Sequence, residues 1–187
     1  MEKIFCVLGK SSAGKDTLVA IVSKELQIPI ATSVTTRSMR EKESQGREYN
    51  FITEEEFKIL KQKGEIAEYT TYNVADNQIW YYGLTREELE KNKHVMVIVN
   101  PDGLEQLTKI YEDKIVSILI ECDGIERLKR SIERDKTANP KEICRRFLAD
   151  EESFENIECD YIVYNGEGDR ENSILEFKKI IERELEM

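Results

Sequence analysis

The sequence predicts an α/β fold in which a mostly parallel β-sheet is covered by helices on both faces. From residue 94 to the end of the chain, short apolar runs alternate with amphipathic segments of helical length. Strands that alternate with helices in this way pair in parallel, because each helix carries the chain back to the same edge of the sheet. A glycine-rich segment between the first predicted strand and the first predicted helix supports the same class of fold.

Each predicted element follows from a local pattern. Apolar, β-branched or aromatic runs predict strands at residues 3–8, 66–72, 78–84, 94–100, 114–121 and 160–165. Helical spacing, Thr-x-x-Glu capping boxes and N-terminal prolines predict helices at residues 15–26, from 53 to near 64, in a short segment after Thr85, and at residues 101–112, 123–134, 139–155 and 169–186. The polar residues 73–77, between two aromatic-rich strands, predict a hairpin turn.

The alternation of strands and helices is interrupted between residues 33 and 84. A polar stretch at residues 32–50, with three arginines and one glycine, precedes the predicted hairpin. A chain of 187 residues has room for one compact domain with small excursions. We therefore interpret residues 33–84 as a small β-rich insertion and not as a second full domain.

The composition argues against several classes of partner and site. The formal net charge of −10 repels a polyphosphate backbone, so we expect no nucleic-acid partner. The four cysteines have no C-x-x-C spacing and the single histidine is His94, which argues against a zinc site. No apolar stretch has the length of a membrane span, and the N-terminus does not have the pattern of a signal peptide. We therefore expect a cytoplasmic protein with reduced thiols and no membrane partner.

The strongest motif is a phosphate-binding loop, or P-loop. The segment Gly9-Lys-Ser-Ser-Ala-Gly14-Lys15 has the spacing G-x4-G-K between a predicted strand and a predicted helix. Backbone N–H groups and the helix N-terminus can then surround phosphate oxygens, and Lys15 can reach the β- and γ-phosphates. The predicted ATP-binding residues are Gly9, Lys10, Ser11, Ser12, Ala13, Gly14, Lys15, Asp16 and Thr17.

Asp16 stands where most P-loops have a serine or threonine that binds Mg²⁺. A carboxylate is also a hard oxygen ligand, so the loop can still hold the metal. We therefore predict that Mg²⁺ binds together with ATP and that Asp16 contacts the metal.

A second anion-binding segment begins at Ser33. Arg37 and Arg40 can form a guanidinium clamp around a dianionic phosphate, and the hydroxyl groups of Ser33 and Tyr49 add donors. On these residues alone, an ordinary solvated loop is the other interpretation, because arginines three residues apart are common on protein surfaces.

The pattern S-x-T-T-R-x-x-R…G-x-x-Y-x-F at residues 33–51 resembles the monophosphate-binding segment of guanylate kinases. The likeness continues at Ile66-Ala-Glu68-Tyr69, at Tyr81-Tyr82-Gly83 and at residues 159–165, so it spans nearly the whole chain. The resemblance implies a P-loop NTPase core at residues 1–32 and 85–187. It also implies a helical lid around residues 130–146 and a β-rich monophosphate-binding insertion at residues 33–84.

The resemblance also implies roles for single residues. The acceptor monophosphate would bind at Ser33, Arg37, Arg40, Tyr49, Glu68, Tyr82, Gly83 and Asn100, with Glu68 accepting hydrogen bonds from the base. The catalytic residues would be Lys15, Arg37, Arg134 and Arg146, the last two as lid arginines, with Arg130 as a further candidate. Asn165 would lie beside the adenine of ATP. The alternatives are helix-surface solvation for the lid arginines and a strand-end cap for Asn165.

Three positions depart from the family pattern. Leu84 replaces the hydroxyl residue expected after Tyr82-Gly83, and Ile98 and Asn100 replace two aspartates. The resemblance as a whole implies transfer of the γ-phosphoryl group of ATP, bound with Mg²⁺, to GMP or dGMP. Because of the departures, two alternatives stay open: a kinase of the same fold with another acceptor, and a binding domain with weak catalysis. The choice between monomer and homo-oligomer also stays open.

Overall fold

The computed structural model describes residues 2–41, 43–73, 78–134 and 139–187, and it has the predicted α/β class. The strands are β1 (Lys3–Leu8), β2 (Val34–Thr35), β3 (Asn50–Phe51), β4 (Ile66–Asn73), β5 (Ile79–Thr85), β6 (His94–Ile98), β7 (Ile115–Glu121) and β8 (Tyr161–Tyr164). The helices are α1 (Lys15–Leu26), α2 (Glu54–Gln62), α3 (Arg86–Glu90), α4 (Pro101–Tyr111), α5 (Gly124–Arg134), α6 (Pro140–Ser153) and α7 (Arg170–Glu186). None of these described helices is long and apolar enough to cross a lipid bilayer.

The first sheet is parallel and has the strand order β6-β1-β7-β8. In this sheet β1 is a central strand, since Ile4 lies opposite both Val95 of β6 and Ile115 of β7. Residues 4–8 of β1 are all buried, because helices cover both faces. This burial explains why the sequence of β1 is a continuous apolar run and does not alternate with polar residues.

Apolar clusters on its two faces hold the parallel sheet between helices. On one face, Phe5 of β1 belongs to the same cluster as Leu18 of α1 and Phe177 of α7. On the other face, Leu8 belongs to the same cluster as Leu107 of α4. Burying a side chain of this kind contributes about 1.5–3 kcal/mol. The carboxyl ends of the strands, where the functional loops begin, are therefore anchored in a well-packed core.

The second sheet is mixed and has the order β3-β2-β5-β4. Its strands β4 and β5 pair in antiparallel fashion, with Tyr69 opposite Gly83, so the predicted hairpin is confirmed. Residues 74–77 of the predicted turn lie outside the described residues. The short strands β2 and β3 were not predicted, because each has two residues and lies in a polar stretch whose local pattern favours a loop.

Helix α4 connects the two sheets. The side chain of Gln106 accepts a hydrogen bond from the Tyr69 N–H at 3.1 Å and donates to the Tyr69 carbonyl at 3.1 Å. One glutamine thus satisfies both backbone groups of a residue in β4. The contact holds the hairpin against the carboxyl end of β6, where α4 begins, and so fixes the position of Glu68 relative to Asn100.

The capping residues predicted from the sequence mark the starts of helices α2 and α3. At α2 the Glu56 N–H donates to Thr53 Oγ1 at 3.1 Å, and the Thr53 N–H donates to Glu56 Oε2 at 2.7 Å. At α3 the Glu88 N–H donates to Thr85 Oγ1 at 3.2 Å. Both predicted capping residues are therefore confirmed.

Candidate nucleotide-binding site

The P-loop, residues 9–17, connects β1 to α1. Gly14 is the N-cap of α1 and has a left-handed backbone with φ of 94°. A Cβ atom at Gly14 would lie 2.2 Å from Asn165 Nδ2, so neither the backbone conformation nor the space admits a side chain. Ser12 also has a positive φ, at 63°. The loop therefore bends tightly enough to point its backbone at a ligand above the N-terminus of α1.

Asn165, which follows β8, holds the P-loop in place through a hydrogen bond. Its side chain is buried, and Nδ2 donates to the Ala13 carbonyl at 2.7 Å. Its backbone N–H donates to the Glu121 carbonyl at 2.7 Å, which ties the end of β8 to the end of β7. Arg130 lies close by and donates to the Gly166 carbonyl at 3.2 Å. The structure thus places Asn165 and Arg130 against the P-loop; an adenine contact for Asn165 stays a prediction.

Two carboxylates of α6 contact the outer part of the P-loop. Asp150 Oδ2 accepts a hydrogen bond from the Ser11 N–H at 2.6 Å, and Glu151 Oε2 accepts one from Lys10 Nζ at 2.5 Å. The side-chain oxygens of Ser12 and Ser131 are 2.8 Å apart. Residues 10–12 of the loop therefore contact α5 and α6, the helices that contain the predicted lid arginines.

Arg127 of α5 neutralises these two carboxylates. The sequence pattern did not identify this residue. It is only 2% exposed, forms ion pairs with Asp150 and Glu151, and lies 4.5 Å from the centre of the Phe147 ring. The pKa of Glu151 is lowered, first by the hydrogen bond from Lys10 and to a smaller extent by Arg127. Arginine on a helix is normally exposed, so no local pattern marks this residue as buried.

Lys15, Asp16 and Thr17 form the first turn of α1. Lys15 is half-buried, whereas Asp16 and Thr17 are exposed. Within the described ranges, no group of three or more His, Cys, Asp or Glu side chains is placed to hold a metal ion. A single exposed carboxylate beside the P-loop fits Mg²⁺, which commonly takes one or two carboxylates together with phosphate oxygens and water. It does not fit a metal that needs a complete protein cage.

Arg37 is buried at the centre of the predicted acceptor site. Its Nη1 and Nη2 atoms each donate to the Glu43 carboxylate at 2.8 Å, and Nη1 also donates to the Ser38 carbonyl at 2.8 Å. The hydrogen bonds from the Arg37 side chain, together with a smaller effect of the Arg40 N–H, lower the pKa of Glu43 to about 2. Arg37 thus presents two parallel N–H donors, which is the geometry that a phosphate needs.

Aromatic rings surround the Arg37 guanidinium. Its central carbon lies 5.4 Å from the centre of the Tyr49 ring and 5.5 Å from that of Phe51. Tyr82 packs edge-on against Tyr49 with the ring centres 5.6 Å apart. The structure therefore brings Arg37, Tyr49 and Tyr82 together in one cluster, as their predicted shared role requires.

The other phosphate-side residues lie around this cluster. The Ser33 carbonyl accepts a hydrogen bond from the Asn50 N–H at 2.8 Å, which joins β2 to β3. The Arg40 side chain is exposed, and its backbone N–H donates to Glu43 at 2.8 Å. Gly83 is buried, and a Cβ atom there would lie 2.6 Å from the Glu68 carbonyl oxygen. Gly83 therefore allows the close approach of β4 and β5 beside the site.

Glu68 is the principal titratable group of the predicted base pocket. It is 8% exposed, and burial raises the pKa of its carboxyl group to about 7. Its Oε2 atom lies 3.2 Å from the ideal Cβ position of Gly103, and Asn100 Oδ1 lies 3.1 Å from the same point. Glu68 and Asn100 therefore converge at the start of α4. Leu84, which lies opposite Glu68 in the sheet, is fully buried.

Asn100 has a structural role in addition to its predicted one. It is the N-cap of α4, and its Oδ1 accepts a hydrogen bond from the Gly103 N–H at 2.7 Å. Ile98, two residues earlier, is half-buried at the end of β6 and lies opposite Val7. The carboxylate missing at position 98 is thus replaced by an apolar side chain packed beside the P-loop strand.

The predicted lid arginines lie on exposed surfaces. Arg134 is the last residue of α5, and residues 135–138 of the predicted lid lie outside the described residues. Arg146 donates to Glu142, one turn earlier on α6, at 2.7 Å. The contact of Arg146 is thus within its own helix, and a catalytic role for either arginine stays a prediction.

The sequence matches a protein-family model described as guanylate kinase over residues 1–184. It is 30% identical to a guanylate kinase of Ralstonia nicotianae, over 87% of this chain and 73% of that protein. It is also 30% identical to a guanylate kinase of Wolbachia pipientis, over 98% of this chain and 91% of that protein. The residues matched by the family model include the P-loop, the acceptor segment and the predicted lid.

A solved structure agrees with these likenesses. The crystal structure of a guanylate kinase from Anaplasma phagocytophilum superposes on this chain with a TM-score of 0.70 and 25% sequence identity. The superposition covers 98% of this chain and 86% of that protein. This chain therefore shares the overall α/β fold of that protein.

Proposed function

This chain belongs to the guanylate kinase family, and on that premise we propose that it transfers the γ-phosphoryl group of ATP to GMP or dGMP. The products are ADP and GDP or dGDP. The observation that carries the proposal is that one chain combines a P-loop with a second, arginine-centred anion site and a buried carboxylate. The P-loop suits the donor phosphates, the arginine-centred site suits the acceptor phosphate, and the buried carboxylate suits the N–H groups of the base.

The P-loop is the proposed donor site. Backbone N–H groups of residues 9–14 and the N-terminus of α1 would surround the phosphates of ATP, with Lys15 beside the β- and γ-phosphates. The buried bond from Asn165 to Ala13 supports this function, since it holds the loop in a bent form before any ligand arrives. A loop that is already bent loses less conformational entropy on binding.

The Arg37 cluster is the proposed acceptor-phosphate site. The Glu43 carboxylate shows which kind of group Arg37 is oriented to receive, namely an anion that offers two oxygens to two parallel N–H donors. Arg40, Ser33, Tyr49 and Tyr82 would complete the set of donors around a dianionic phosphate. The aromatic rings beside Arg37 exclude water and so strengthen the charge interaction.

Catalysis of the transfer depends on alignment of the donor and acceptor phosphates and on neutralisation of their negative charge. A phosphate monoester is already an anionic nucleophile, so no side chain has to remove a proton before transfer. Lys15 and Arg37 would hold donor and acceptor in line, and Arg134 and Arg146 would offset the charge that develops on the transferring group. The lid around residues 130–146 is proposed to close over residues 9–17 and the insertion at 33–84.

Magnesium is part of the proposal as the ion bound with ATP. Asp16, the exposed carboxylate in the first turn of α1, is the residue that would hold it together with phosphate oxygens and water. When bound, the ion neutralises charge on the β- and γ-phosphates. A cytoplasmic setting is also proposed, which is in keeping with the free state of Cys6, Cys122, Cys144 and Cys159.

Formation of GDP tests the proposal. Purified protein with ATP and Mg²⁺ is expected to produce ADP and GDP in equal amounts when GMP is added, as measured by anion-exchange chromatography. The same mixture without GMP controls for hydrolysis of ATP by water. Production of ADP that does not respond to GMP would contradict the proposal.

The second candidate, a kinase of the same fold that takes another acceptor, is not favoured by the family match, although Leu84 departs from the family pattern. Leucine cannot donate a hydrogen bond to a base, so one polar contact to guanine is absent at this position. If ADP formation responds to another monophosphate and not to GMP, this second candidate replaces the first.

A further inference from the structure

We propose that Thr70, fixed by Asn100, donates a hydrogen bond to O6 of the guanine base and so determines specificity for GMP. The inference rests on the proposed GMP acceptor and adds to it a residue that the family motifs of the sequence do not contain. It names the group that replaces the donor missing at Leu84.

Thr70 lies on the same face of the hairpin as the predicted acceptor residues. Along β4, Glu68 and Thr70 are two residues apart and so project to one side of the sheet. Across the strand pair, Leu84 lies opposite Glu68, and Tyr82 lies opposite Thr70. Thr70 is therefore flanked by the carboxylate proposed to bind the base and by the tyrosine proposed to bind the phosphate.

The direction of each hydrogen bond follows from the N-cap of α4. Asn100 Oδ1 accepts from the Gly103 N–H, so the other atom of the Asn100 amide group, Nδ2, must be the donor. This Nδ2 lies 3.3 Å from Thr70 Oγ1. Because Thr70 Oγ1 accepts from Asn100, its own O–H proton is left to donate to another group.

Guanine offers the partner for this donor. The base has two N–H donors, at N1 and N2, and one acceptor, O6, on the same edge. Glu68 can accept from the two donors, whereas O6 needs a donor that neither Glu68 nor Leu84 can supply. Thr70 O–H and the second proton of Asn100 Nδ2 are two donors near Glu68, since Thr70 shares its strand face and Asn100 converges with it at Gly103. A buried O6 without a partner would weaken binding substantially.

This arrangement explains why asparagine at position 100 replaces the aspartate of the family pattern. An aspartate at this position could also cap α4, but its second oxygen would accept a hydrogen bond from Thr70 and use up the threonine proton. Asparagine reverses the direction of that bond. Asn100 and Thr70 thus act together, and Asn100 is the positioning partner.

The test compares GMP with 6-thio-GMP, in which sulfur, a weak acceptor, replaces O6. Thr70→Val removes the hydroxyl and keeps the shape of the side chain, and Thr70→Ser restores the hydroxyl. Thr71→Val is the matched control, since Thr71 is exposed on the opposite face of the same strand. The value of kcat/KM is measured for both nucleotides at saturating ATP.

Thr70→Val is expected to lower kcat/KM for GMP about tenfold, mainly through KM, and to change the value for 6-thio-GMP by less than about threefold. The preference for GMP over the analogue should return in Thr70→Ser and stay unchanged in Thr71→Val. An equal loss with both nucleotides, or no loss with either, would overturn the assignment of Thr70. Wild-type protein that forms no GDP would instead overturn the proposed function, and this inference with it.

Discussion

The buried carboxyl group of Glu68 should destabilise the free protein above neutral pH, and Glu68→Gln tests this directly. Burial raises the pKa of Glu68 from its ordinary value of 4.5 to about 7. Between these two values the native state holds a proton that the unfolded state has lost, so the free energy of unfolding falls as the pH rises. A shift of this size corresponds to about 3 kcal/mol, fully lost above pH 7.

Glutamine keeps the shape of the side chain but does not titrate. Its amide group still has to be removed from water, which offsets about 1–2 kcal/mol of the gain. Because this offset applies at both pH values, the variant is expected to be as stable as wild type or up to about 1 kcal/mol less stable at pH 5, and more stable by about 1–2 kcal/mol at pH 8.

The assay is urea unfolding at both pH values, with Glu65→Gln, an exposed glutamate before β4, as the matched control. The same Glu68 variant should lose at least about tenfold in kcat/KM for GMP, because the amide N–H₂ would face the donors of guanine. A free-energy difference that does not change between pH 5 and pH 8 would refute the desolvation argument, whatever happens to activity.

Three further predictions concern the P-loop. Lys15→Ala should abolish formation of GDP with an unchanged circular dichroism spectrum, and activity within a few-fold of wild type would contradict a donor site at this loop. Asp16→Ala should raise the Mg²⁺ concentration needed for half of the ATP-induced increase in melting temperature, and an unchanged Mg²⁺ dependence would show that Asp16 does not contact the metal. Gly14→Ala should lower the free energy of unfolding by at least about 1 kcal/mol, since its Cβ would meet Asn165 Nδ2 at 2.2 Å. The same variant should no longer show an increase in melting temperature when ATP is added. A normal increase would show that the loop tolerates another backbone conformation.

The elements that the sequence predicted well are those whose signals are local. A continuous apolar run that stops at a glycine marked β1, and Thr53 with Glu56 marked the start of α2. The P-loop could be predicted for the same reason, because its glycines, its lysine and the flanking strand and helix are adjacent in the chain. The strands β2 and β3 were not predicted, since two-residue strands exist only through pairing with distant segments.

The lid contacts could not be predicted because they depend on tertiary packing. Ser11 and Asp150 are separated by 139 positions in the chain, and no local pattern connects them. On α5 the usual expectation is reversed: Ile125 is 74% exposed, whereas Arg127 is 2% exposed. Phe147 and the two carboxylates of α6 stabilise the buried guanidinium, and none of these groups lies on α5 itself.

The sequence named residues of the proposed acceptor site but not the contacts between them. Arg37, Tyr49 and Tyr82 were named from the family motif, while the pairing of Arg37 with Glu43 depends on how the loop after β2 folds back. Thr70 carries no signal in the sequence, because threonine is common in strands of any function. Its hydrogen bond to Asn100 emerges only when α4 packs against β4.

The most direct test of the account is the acceptor specificity of the wild-type protein. The value of kcat/KM should be measured with ATP and Mg²⁺ for GMP, dGMP, AMP, CMP and UMP under the same conditions. The account predicts that GMP and dGMP have the highest values, with AMP lower by at least about tenfold because its N6 amine would face Thr70 and its N1 would face Glu68. A higher value for AMP or for a pyrimidine monophosphate than for GMP would contradict the guanine assignment.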